Sequence, residues 1–232
     1  MSNTSYPRRR VRSFVRRDGR MTDAQKNALA TVWPRIGLHV QDGPIHLERI
    51  FAQEASCILE IGFGSGHSLL EMAKAQPGHH FIGIETHLPG IGTLLLNIDN
   101  EQLHNIRIYY ADAVDVLTQC IPDDSLDGIQ IFFPDPWPKR KHHKRRLIQT
   151  PFVQLLLCKL KLHGCLHLAT DWQHYAEQMM TVLSSLPQLE NQAGIRQYAM
   201  RSIHRPVVTK FEKRGTESGR AVWELQFIKC SI

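Results

Sequence analysis

From residue 57 onward, short apolar runs alternate with stretches whose apolar residues recur at helical spacing. Cys57-Ile58-Leu59-Glu60-Ile61 is a strand-length run closed by Gly62, and Ser68–Ala75 behind it has the helical pattern. His80–Glu85 is a second strand, followed by a helix over Pro89–Leu103 with its proline in the first turn, where a missing N–H costs nothing. Ile106–Ala111 and Leu126–Phe133 are further strands, separated by a short helix over Ala113–Cys120. Thr150 is a candidate cap for a helix with Pro151 at its start, running past Leu155, Leu156 and Leu157 to Lys159 and Lys161, with Gly164 as its stop. Cys165–Thr170 is the fifth strand, and Asp171 is placed to cap a helix over Trp172–Leu186. Tyr198–His204 and Val222–Cys230 are two final strand candidates with no helix between them, which predicts an antiparallel pair. Ahead of the repeat, Thr22 or Asp23 can cap a short helix through Ala30 that Trp33-Pro34 stops, and a second helix is expected near Gly43–Glu54.

Five strands, each followed by a helix, imply parallel pairing through right-handed crossovers. The expected fold is therefore α/β, a doubly wound, mostly parallel seven-stranded sheet. Ligands of such sheets bind outside the carboxyl ends of the strands. Here those ends carry Glu60, Glu85, Asp112, Asp135 and Asp171, and an acid at all five tips is hard to explain by packing.

Charge sharpens this picture. Residues 1–20 carry seven arginines against Asp18, and residues 139–146 carry six Lys or Arg and no acid; each segment contributes +6 to a chain whose total is +6. Basicity confined to two segments favours a specific polyanion surface over general stickiness. The arm has too few apolar residues to pack, so residues 1–21 are expected to be a flexible basic arm and 22–232 a single domain. A transit peptide would share that composition, but a nucleic-acid arm explains the same residues better. The five cysteines form no CxxC pair and are odd in number, which points to a reducing, cytoplasmic setting. Neither a membrane span nor a metal site is expected: no run approaches about 18 apolar residues, and the adjacent His142 and His143 lack acidic company.

Gly62-Phe63-Gly64-Ser65-Gly66-His67 follows the first strand. The dinucleotide pattern GxGxxG requires glycine where His67 stands, so a pyrophosphate is not the natural guest. Glu85 can accept from two ribose hydroxyls, Asp112 from an adenine amine, and Glu60 can hold an ammonium directly or through neighbours. A ribose, an adenine and a cationic amino-acid tail describe S-adenosylmethionine. The fourth strand leads into Phe132-Phe133-Pro134-Asp135-Pro136-Trp137-Pro138, where three prolines in five residues stiffen the backbone and bias the residues before them toward extended conformations. An acid and an aromatic are thus held at the sheet mouth beside Lys139–Arg146. Trp137 can stack on a base or simply pack between its prolines.

These segments carry a resemblance. Ser13-Phe14-Val15-Arg16-Arg17, Leu59–Gly64, Gly83-Ile84-Glu85, Pro134–Lys139, Lys144-Arg145-Arg146, Thr170-Asp171-Trp172 and Thr209–Gly215 together resemble the bacterial tRNA (guanine-N7)-methyltransferases, a class I methyltransferase family. The resemblance spans nearly the whole chain; Arg220 stands where many members have histidine. It implies methyl transfer from S-adenosylmethionine to N7 of a guanine in the variable loop of tRNA; the sequence leaves monomer and homodimer both open. It implies cofactor contacts from Glu60, Glu85, Asp112 and Asp135, with Asp135 also catalytic, beside Gly62 and Gly64, whose bare backbone lets the cofactor approach closely. Substrate contacts would come from Lys139, Asp171, Thr209, Lys210, Phe211 and Glu212. RNA contacts would come from Lys141, His142, His143, Lys144, Arg145 and Arg146.

Guanine N7 already carries an in-plane lone pair, so such a reaction needs no strong base and depends mainly on positioning. Two other readings compete. An amino-group methyltransferase acting on adenine or cytosine would share the fold, but its turn after the fourth strand would be an Asn/Asp-Pro-Pro-aromatic tetrad. A non-catalytic RNA-binding relic would not need intact acids at every strand tip.

Overall fold

A computed structural model describes residues 19–202, 205, 212 and 221–231. Among them the chain runs α1 (Asp23–Thr31), α2 (Trp33–Ile36), β1 (Gly37–Leu38), α3 (Leu47–Phe51), β2 (Cys57–Ile61), α4 (His67–Ala75), β3 (His80–Glu85), α5 (Leu88–Asn100), β4 (Ile106–Tyr110) and α6 (Ala113–Gln119). It continues with β5 (Leu126–Phe132), a 3-10 helix (Arg140–Arg145), α7 (Thr150–Lys159), β6 (Leu160–Thr170), α8 (Gln173–Ser184), β7 (Leu189–Asn191) and β8 (Trp223–Lys229). One sheet has the order β1-β4-β3-β2-β5-β6-β8-β7. Every pair from β1 to β6 is parallel, and β8 runs antiparallel to both β6 and β7.

The sheet is apolar on both faces because helices cover both. Ile82, Ile84, Ile129, Leu166 and Leu168 pack under α6, α7 and α8 through Val116, Leu117, Val153, Leu156, Tyr175 and Met179. On the opposite face Phe81, Ile106 and Ile108 meet Leu69 and Met72 of α4, Leu94 and Ile98 of α5, and Ala28 and Val32. The helix start at Thr22 holds as read: its side chain accepts from the Gln25 backbone N–H, and Gln25 bonds back to the Thr22 N–H, a complete capping box.

The sheet has eight described strands rather than seven. The two-residue β1 on the β4 edge has no readable pattern. On the other edge β7 pairs with β8, where Tyr198–His204 was expected. β7 occupies that edge, and of the expected strand Ala199 makes one isolated bridge to Glu224; residues 203 and 204 lie outside the described set. Gly164 does not end α7. Leu160 turns extended at the cap and β6 begins there, with a bulge between the pairings of Leu126 and Gly128. Gln149, not Thr150, stands at the α7 cap, and Trp172, not Asp171, at the α8 cap, neither with a side-chain cap bond.

Candidate active site

The parallel strands β2, β3, β4 and β5 end on one rim, and there a cleft of about 330 Å³ opens. That volume lies within the range of about 300–1,000 Å³ typical of small-molecule sites. Its walls carry Gly62, Gly64, Glu85, Asp112 and Asp135 over an apolar lining that includes Ile61, Ile84, Ile131, Phe132 and Leu147. Five of the expected cofactor residues therefore converge on one surface.

The glycine turn is built for close approach. Gly62 and Gly64 adopt φ of 78° and 60°, and a Cβ at either would meet no atom within 4 Å. A side chain there would project into open space and occupy the cradle, so glycine keeps bare backbone facing the cleft. Behind the turn α5 packs so closely that a Cβ on Gly90 would come within 2.1 Å of the Gly64 carbonyl oxygen. Glu85 ties the turn to the sheet: Oε2 accepts the Gly64 N–H at 2.8 Å, and Oε1 accepts the N–H groups of Thr86 and His87. Three backbone donors thus fix the carboxylate that would face a ribose. Asp112 caps α6 through Oδ1, which accepts the Val114 N–H at 3.0 Å, while it also lines the cleft. The cap and the cleft roles coexist.

Glu60 is placed differently. It is buried one residue behind the cleft wall, its Oε2 has no hydrogen-bond partner, and it is not part of the lining. Burial first, and then the Glu85 charge, push its carboxyl up to about 8. A carboxyl with a folded pKa above its unfolded value of 4.5 keeps an extra proton in the native state. Native stability therefore falls as pH rises through the window from 4.5 to about 8, with a total loss of roughly 3–5 kcal/mol. Glu60→Gln cannot titrate, so without ligand its melting temperature is expected to gain on the wild type between pH 5.5 and 8.5. An equal gap at both pH values would contradict this placement of the proton.

The turn after β5 departs from the expected extended backbone. Phe133 and Trp137, each preceding a proline, have φ of 51° and 43°. Left-handed backbone at a bulky residue costs on the order of 1–3 kcal/mol and persists only where surroundings over-determine it. Arginines supply those surroundings. The Arg205 guanidinium lies over the Phe132 and Phe133 rings at 5.7 and 5.6 Å, and that of Arg145 lies 4.2 Å from the Trp137 ring centroid. Trp137 thus has a packing role in the turn. Asp135 is exposed, on the cleft wall between the two left-handed residues.

Lys139, Arg140, Lys141 and Lys144 are exposed on or beside the 3-10 helix, as a phosphate-facing run requires. Partial burial, followed by the neighbouring cations, lowers the pKa of His142; burial followed by Arg146 lowers that of His143. Arg146 departs from the expectation for its neighbours. It is 2% exposed and turned into the body, bonded to the Pro136 carbonyl, His174 and Gln178. Glu212 is also inside: it is 6% exposed and holds the fully buried Arg205 through both carboxylate oxygens. Arg205 also bonds Glu224, whose other oxygen is 2.8 Å from His167 Nε2. Burial would raise the Glu224 pKa, but the bonds from His167 and Arg205 outweigh it and hold the group low. This network links β6, β8 and the C-terminal segment under the cleft wall, and its members are too far apart in sequence to be read as a motif. Asp171 sits beyond the β6 tip, outside the cleft lining. Thr209, Lys210 and Phe211 lie outside the described residues. Among the described residues no group of three or more His, Cys, Asp and Glu side chains could hold a metal, and no helix is long and apolar enough to cross a membrane.

The sheet order and acid-lined cleft define a class I methyltransferase. Solved structures share the fold. The 16S rRNA methyltransferase KamB superposes with a TM-score of 0.59 at 11% identity, covering 79% of this chain and 92% of that one. The aminoglycoside resistance methyltransferase NpmB1 gives 0.54 at 15% identity, over 83% and 94%. A family described as "Putative methyltransferase" matches residues 54–225. The tRNA (guanine-N(7)-)-methyltransferase of Nitrosococcus oceani is 54% identical over 96% of this chain and 92% of its own. That of Idiomarina loihiensis is 51% identical over 94% and 89%. The chain belongs to the tRNA (guanine-N(7)-)-methyltransferase family.

Proposed function

We propose that this protein transfers a methyl group from S-adenosylmethionine to N7 of a guanine in the variable loop of tRNA, with Asp135 at the junction of donor and acceptor. The observation that carries the reading is the position of Asp135. It shares a cleft wall with Glu85 and Asp112 and stands four residues before Lys139, the first cation of an exposed basic run.

The cleft fits the cofactor on its own chemistry: bare glycine backbone, a fixed carboxylate for vicinal hydroxyls, apolar walls, and acids suited to a cation. When bound, the cofactor supplies an electrophilic methyl group on a sulfonium. Glu85 would orient the ribose and Asp112 the adenine amine, while Glu60, which holds a proton at neutral pH in the free protein, stands behind the turn and would release that proton as the ammonium end binds. Asp135 accepts from the guanine N1–H and exocyclic amine, or stabilises the positive charge that develops on the purine. Asp171 is a second candidate for the same edge. Lys139 and the exposed Arg140, Lys141 and Lys144 hold the phosphates that deliver the base, with His142, His143 and Arg145 beside them. No side chain has to remove a proton before attack, so the rate comes from alignment and charge. An adenine would present an acceptor at N1 and leave a carboxylate unpaired, which rejects it.

The choice of atom is testable. A tRNA transcribed with 7-deaza-GTP lacks the N7 lone pair and is expected to bind but accept no methyl group. Transfer to that transcript would exclude N7.

A further inference from the structure

Arg146 closes the basic run in sequence but not in space, and we infer that it is a positioning residue that sets the height of Asp135 over the cleft rather than a contact to RNA. The inference rests on the reading of Asp135 given above.

The geometry is a relay from the turn to a helix. Arg146 Nε donates to the carbonyl of Pro136, the residue that follows Asp135, at 2.8 Å. Nη1 donates to Gln178 Oε1 at 2.6 Å and lies 3.0 Å from His174 Nδ1. The guanidinium stacks over the Tyr175 ring at 4.8 Å. Residues 174, 175 and 178 share one face of α8 by helical spacing. The same face holds the chain beyond the arginine: the Tyr175 hydroxyl accepts the Ile148 N–H at 3.0 Å, and Gln178 Nε2 donates to the Ile148 carbonyl at 3.1 Å. One helix therefore clamps both ends of the basic run's base, and the arginine is the member that reaches the catalytic turn. The flanking left-handed residues give that grip its purpose, since a turn holding Phe133 and Trp137 at positive φ relaxes when released. An exposed lysine would serve a phosphate equally well. Only the planar fork, with several fixed donors, reaches a carbonyl and a helix together. A buried cation 2% exposed is also poorly placed for a tRNA backbone.

Arg146→Lys and Gln178→Ala, measured beside Asp135→Ala, test the assignment. Single-turnover methylation by Arg146→Lys is expected to fall about tenfold or more, the cost of misplacing a reacting group by a fraction of an ångström. Affinity for tRNA, its salt slope and cofactor affinity are expected to stay at wild-type values. A purely structural role would lower the melting temperature without this split between rate and affinity. Gln178→Ala should reproduce the rate loss in a protein whose basic run is intact, and it decides the matter where Arg146→Lys proves unstable. Wild-type rate in Gln178→Ala would then overturn the inference. So would a loss of tRNA affinity in Arg146→Lys, which retains the charge, or a drop of about one in the salt slope of Arg146→Gln, the mark of a lost phosphate contact. Loss of turnover in Asp135→Ala with a wild-type rate in Arg146→Lys overturns this inference alone. Near-normal turnover of Asp135→Ala overturns the reading of Asp135 and this inference with it.

Discussion

Asp135→Ala is expected to reduce the methylation rate about 10²–10³-fold, the usual effect of removing one preorganised group from a developing charge. The fold should survive, because Asp135 is exposed and the turn is held by Arg145, Arg146 and Arg205. Cofactor affinity should fall by no more than one charged hydrogen bond, about 1.5–3 kcal/mol. Asp135→Asn separates the two contributions: it keeps an acceptor oxygen but not the charge, so an intermediate rate would assign the remainder to electrostatics. Rapid-quench turnover with saturating tRNA reads the chemical step directly. A rate near that of the wild type in Asp135→Ala would remove this residue from catalysis.

The second large effect concerns the exposed cations. Arg140, Lys141 and Lys144 replaced together by alanine should lower the log–log salt slope of tRNA binding by roughly 2–3, at about 0.7–0.9 per phosphate. At near-physiological salt the same slopes correspond to about 100-fold in affinity. Arg145 is left out of this set because it covers Trp137, and its loss would disturb the turn as well. Filter binding across a salt series, with cofactor titration as the control, checks the result. Weakened cofactor binding with unchanged tRNA affinity would make the run a structural element.

The central strands were legible because each combines an apolar run, a strand-tip acid and a following helix, as Cys57–Ile61 and His80–Glu85 show. The cleft followed from those acids, since parallel strands must bring their ends to one rim. What escaped detection has physical causes. β1 and β7 have two and three residues, too short for any period to show. The left-handed backbone of Phe133 and Trp137 runs against the preference of residues before proline and is imposed by tertiary contacts. A run of cations reads as uniformly exposed, although Leu147 and Ile148 immediately after Arg146 were a signal that the chain turns inward there. The pairing of Arg205 with Glu212 and Glu224 joins residues across the C-terminal segment, and nothing local distinguishes Glu212 from a glutamate that meets substrate.

The most direct test of the whole account is transfer of labelled methyl from S-adenosylmethionine to unmodified bulk tRNA, followed by digestion and identification of the labelled nucleoside. The label is expected in 7-methylguanosine, appearing at a rate that Asp135→Ala lowers about 10²–10³-fold. Label in a methylated adenosine or cytidine, or no transfer by a folded protein that binds both cofactor and tRNA, would contradict it.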